Sequence, residues 1–96
     1  MSARPEREPV ADSSFEHLKL ELDEACAFLR GFTLGHRGFT RQDGLAGMRR
    51  VSDLCDLLHT LFATGPHAGS AASAVASGRG RVAAAEARLT LLGRKQ

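Results

Sequence analysis

This sequence has no tryptophan and no tyrosine, and only five phenylalanines. With so few large rings, each Phe must carry a large share of any packing. Cysteine is nearly missing too. Cys26 and Cys55 form no C-x-x-C pair, which argues against a disulfide framework and against the common zinc modules. No run approaches the roughly 18 uninterrupted apolar residues that a membrane-spanning helix needs. The opening segment MSARPEREPVADSS lacks the apolar core of a signal peptide. A cytoplasmic protein with reduced cysteines is therefore expected. The glycine-rich stretch 31–40, GFTLGHRGFT, contains His36 and Arg37 but lacks a Gly-Lys-Ser/Thr ending, and no strand pattern precedes it. It reads as a connector, not a phosphate loop.

What is present is charge, unevenly spread. Residues 1–66 carry eight Lys+Arg against ten Asp+Glu, giving −2, and residues 67–96 carry five against Glu86 alone, giving +4. Eleven of the thirteen cations are arginine, which with the abundant Ala and Gly points to a GC-rich bacterial gene. Ninety-six residues make one domain at most, and a chain this short buries a small share of its surface.

The apolar pattern is helical throughout. Phe15, Leu18, Leu22, Ala25, Leu29 and Phe32 follow spacings of 3, 4, 3, 4, 3, a heptad seam, with Cys26 beside it. Ser13-Ser-Phe-Glu16 fits a capping box that would start this helix near residue 13, and Gly31 would stop it after Arg30. A second helix is expected from Arg41, capped by Thr40 with Asp43 in its first turn, to about residue 63, where Gly65-Pro66 ends it. Met48, Val51, Leu54, Cys55, Leu57, Leu58, Leu61 and Phe62 cover nearly half of its circumference. Residues 1–12, with two prolines and alternating charge, read as a disordered arm. Residues 66–81, rich in Ala, Ser and Gly, read as a flexible linker. Residues 82–92 offer a weak helix anchored by Val82, Leu89, Leu91 and Leu92, within a basic tail, residues 82–96.

The fold expected is therefore all-α: a helical hairpin over 13–65, with main helices at about 13–30 and 41–63, and a weak helix at about 82–92. Two helices make a thin core. Burial contributes roughly 25 cal/mol per Å², while ordering the backbone costs roughly 1–2 kcal/mol per residue. Something further must cover the hairpin, and homodimerisation into a four-helix arrangement is the expected solution. The dimer core would be Phe15, Leu18, Leu22, Leu29, Met48, Val51, Leu54, Leu58 and Phe62.

No catalytic set stands out. Cys55 and His59 are spaced i, i+4, and Cys26 and His36 would complete four metal ligands. Both cysteines, however, sit where core residues belong. A chain so thin is also expected to offer no small-molecule pocket of roughly 300 Å³. Neither an enzyme, a metal site nor a cofactor is expected. The surplus of apolar side chains is the stronger signal: Leu20, Phe28, Phe32, Leu34, Phe39, Leu57 and Leu61 exceed what a thin core absorbs, and such surfaces mark interfaces. Glu16, Glu21, Asp23 and Glu24 would steer a basic target toward them. The expected function is that of a small regulatory adaptor or inhibitor that binds and sequesters a larger protein, such as a transcription regulator or a secretion substrate. The alternative is a nucleic-acid-associated protein using Arg79, Arg81, Arg88, Arg94 and Lys95, although no aromatic is present there to stack on bases.

Overall fold

A computed structural model of the chain describes the backbone of residues 7–94 and the side chains of residues 13–93. It contains three helices, α1 (Arg7–Thr33), α2 (Arg41–Leu61) and α3 (Ala68–Arg94), and no strand among the described residues. The helices run up, down and up. At one end Phe15 of α1 meets Phe62, just past α2, edge to face at 5.2 Å, and stacks on His67, just before α3, at 4.3 Å. At the other end the Arg88 guanidinium of α3 lies over Gly35, just past α1.

The all-α class stands, but the hairpin does not stand alone. Residues 66–81, expected as a linker, contribute most of a long α3. The reason is a seam carried by small residues. Ala71, Val75, Gly78, Val82, Ala85, Leu89 and Leu92 follow spacings of 4, 3, 4, 3, 4, 3, and all face the core. Alanine is the best helix former, and small side chains let helix axes approach closely. At Gly78 the approach is so tight that a Cβ would lie 2.6 Å from Cys55 Sγ and 3.3 Å from Val51 Cγ1. The cover sought from a second copy is thus supplied within the chain. Phe15, Leu22, Leu29, Val51, Leu54 and Leu58 are buried, and Leu18, Met48 and Phe62 pack partly buried against them. These nine residues form the core of one chain.

The ends of α1 also differ from expectation. The helix is already formed at Arg7, so Ser13 lies inside it and the Ser13–Glu16 pair does not begin it. Pro9 is compatible with this because a proline in the first turn removes only an amide that has no helical partner. Residues 7–12 of the expected arm are therefore helix, while residues 1–6 lie outside those described, as do Lys95 and Gln96. At the far end the stop is Gly35, not Gly31. The Gly35 amide donates to the Phe32 carbonyl at 3.0 Å and the His36 amide to the Gly31 carbonyl at 3.0 Å, with Gly35 at φ +76°. This is the paired closure that favours glycine in the left-handed region. Gly31 remains helical because its missing side chain leaves room for the Phe39 ring, 2.6 Å from where a Cβ would sit.

The start of α2 is as expected. The Asp43 amide donates to Thr40 Oγ1 at 3.1 Å and the Thr40 amide donates to Asp43 Oδ2 at 2.9 Å, a full capping box. Its buried stripe is Gly44, Gly47, Val51, Leu54, Cys55 and Leu58. Gly44 admits the Phe32 ring, 2.5 Å from a notional Cβ, and Gly47 admits Leu29.

Candidate functional site

The titratable residues are dispersed. Among the described residues no group of three or more His, Cys, Asp or Glu is placed to hold a metal ion. Cys55 is fully buried in the core and its thiol donates to the Val75 carbonyl at 3.7 Å, while His36 and His59 are exposed. Burial raises the thiol pKa of both cysteines, with Arg81 partly offsetting this at Cys26 and the neighbouring Cys26 adding to it at Cys55. Both therefore stay protonated at neutral pH and are poor nucleophiles. No described helix is long and apolar enough to cross a membrane.

Two furrows run between the helices, and both exceed the roughly 300 Å³ that so short a chain was not expected to offer. One, of about 1010 Å³, lies between α1 and α3, with Lys19, Cys26 and Arg30 on one wall and Ser73, Ser77 and Arg81 on the other. The other, of about 320 Å³, lies between α1 and α2. Its floor is Ala25, Ala46 and Gly47, its wall is Phe28, and its rim carries Glu21, Glu24 and Arg50. Arg50 donates to Glu21 Oε1 at 3.1 Å, and His17 lies 2.8 Å from the other Glu21 oxygen.

The seven residues expected to bind a partner separate into three sets. Phe32 is 3% exposed and belongs to the core, drawn in by Gly44. Phe39 is half-buried, its ring 5.0 Å from Phe28 and seated over Gly31. The other five, Leu20, Phe28, Leu34, Leu57 and Leu61, are exposed. They do not share one surface. Ala46, Arg50, Leu57 and Leu61 recur at spacings of 4, 7 and 4 along α2, so Leu57 and Leu61 continue the stripe that begins at the Phe28 pocket. Leu20 lies on the outer face of α1, roughly opposite Leu22 on the wheel, and Leu34 follows one residue past the end of that helix, beside the α1–α3 furrow. Leu45 and Leu91 are exposed as well. The Phe28 pocket owes its existence to Gly47, and the sequence signal for it was the pair Gly44 and Gly47 on the apolar stripe of α2.

The basic segment is helical rather than a tail. Arg79 faces Asp56 at 3.8 Å, and Arg88 is folded against Gly35 with its Nε buried. No family model, no curated protein and no solved structure matches this chain.

Proposed function

We propose that this is a small regulatory protein that works by binding another protein, an adaptor or inhibitor that sequesters a larger partner such as a transcription regulator or a secretion substrate. The observation that carries the reading is the apolar strip on the outer α1–α2 side. It consists of the Phe28 pocket over Gly47, then Leu57 (45% exposed) and Leu61 (57% exposed) farther along α2. The pocket is the right size for one large apolar side chain, and two leucines about one turn apart suit the next anchors of a docking helix. Glu24 at the rim favours a partner with a basic residue beside its anchors. Binding would act by occluding a surface that the partner needs.

The test is capture of a partner from a lysate by the full chain and by the double variant Leu57→Asp/Leu61→Asp. Both positions are exposed, so the helical circular dichroism should persist while capture is lost. Equal capture by both proteins removes the proposal.

A second reading, nucleic-acid association through α3, is favoured by Arg81, exposed on that helix, with Arg79 available once it leaves Asp56. It requires a gel shift at about 50 mM salt that disappears as salt rises. Absence of a shift at low salt ends it.

A further inference from the structure

The outer face of α1 has an order of its own. Leu20, Ala27 and Leu34 recur every seven residues, two helical turns or about 10.5 Å apart. All three are exposed, Leu20 and Leu34 at 57% each. Charge divides at Ala27. The half toward the N-terminus carries Glu16, Asp23 and Glu24, and the half toward the C-terminus carries Arg30, with His36 and Arg37 in the turn beyond the helix, all exposed. Asp23 is held by Lys19 at 3.4 Å, whereas Glu16, Glu24, Arg30 and Arg37 enter no ion pair among the described residues. The Phe39 ring over Gly31 widens the apolar end beside Leu34.

We infer that this face docks a second copy of the chain, α1 against α1 and antiparallel, about a two-fold axis at Ala27. A residue n places after Ala27 then meets the residue n places before it on the other copy. Leu20 meets Leu34 of the second copy at both ends. Ala27 meets Ala27 at the centre, where the small side chain permits axes about 8 Å apart. Glu24 meets Arg30, a pair formed twice. A parallel pairing would set acid against acid and arginine against arginine, so the charge order selects the antiparallel one. The same patch serves both subunits, as a closed two-fold interface requires. This face is roughly a quarter turn from the Phe28–Leu57–Leu61 strip, so a dimer of this kind leaves Leu57 and Leu61 open on both copies and engages the strip only at Glu24 on the pocket rim. The inference does not depend on that reading.

The full chain, of 10.3 kDa, should sediment at twice that mass at micromolar concentration. Glu24→Arg alone, and Arg30→Glu alone, each turn two attractive contacts into repulsive ones and should weaken self-association by about ten-fold or more. Mixing the two single variants in equal amounts restores both opposite-charge pairs and should recover the dimer at near-native affinity. Circular dichroism of each variant should match the native chain, because both side chains are exposed. A native chain that stays monomeric at high micromolar concentration overturns the inference and leaves the face to a different protein. A dimer equally strong in both single variants, or variants that dissociate and fail to recover on mixing, overturns it as well.

Discussion

Gly78 and Gly80 lie two residues apart in α3, yet the structure gives them opposite surroundings, and one substitution tests both. In Gly80→Ala the new methyl meets nothing within 4 Å. The only effect is the gain from replacing a mid-helix glycine, about 0.5–1 kcal/mol of added stability. In Gly78→Ala the same gain applies, but the methyl would lie 2.6 Å from Cys55 Sγ, 3.3 Å from Val51 Cγ1 and 3.5 Å from Leu22 Cδ1. These three side chains are at most 2% exposed, so none can retreat toward solvent. Overpacking of this kind costs about 1–3 kcal/mol. The helix term cancels between the two variants, so Gly80→Ala should exceed Gly78→Ala in stability by about 1–3 kcal/mol. For a domain of this length about 4–8 °C accompanies each kcal/mol, so the melting temperatures, read by circular dichroism, should differ by at least about 4 °C. Equal shifts for the two variants would refute the close packing of α3, because a flexible linker cannot distinguish position 78 from position 80.

Three further outcomes follow from the same structure. Truncation after Gly65 removes α3, exposes Val51 and Cys55, and should abolish cooperative thermal unfolding; a sharp melt of residues 1–65 would show that the hairpin suffices. Thr40→Ala deletes the acceptor of the Asp43 amide at the start of α2 and should cost about 0.5–2 kcal/mol in urea unfolding, with no measurable change counting against the cap. Both thiols have folded pKa values raised above 9.0 by burial, so their contribution to stability is complete below about pH 9 and is lost as the pH climbs through the raised values. The double variant Cys26→Ala/Cys55→Ala should show a shallower loss of stability just above pH 9 than the native chain, and identical slopes would contradict the assignment.

Much of α1 and α2 was legible from residue order alone. The 3, 4, 3, 4, 3 spacing from Phe15 to Phe32 marked the buried stripe of α1, and Thr40-x-x-Asp43 marked the start of α2 because a capping box is a local device made of adjacent atoms. Leu20 could be placed on the solvent side from helical geometry alone. Local order could not decide which of Gly31, Gly35 and Gly38 closes α1. Each is able to adopt the left-handed conformation, and the choice fell on Gly35 once the Phe39 ring occupied the space beside Gly31.

The largest difference concerns α3. Alanine, serine and glycine carry the same heptad spacing as leucine would, but with so little apolar area that their periodicity is faint and the segment reads as a linker. Whether such a segment floats or docks depends on a neighbouring groove narrow enough for small side chains to fill. That groove exists only after α1 and α2 have packed and brought Cys55, Val51 and Leu22 together. The sequence by itself therefore determined the helical class, the inward stripes and the charge order along α1. Tertiary packing decided that the third helix closes the core, that Phe32 is interior, and that Leu57 and Leu61 lie on a different face from Leu20. The physical reason is that periodicity records which way a side chain points, whereas burial depends on what stands opposite it.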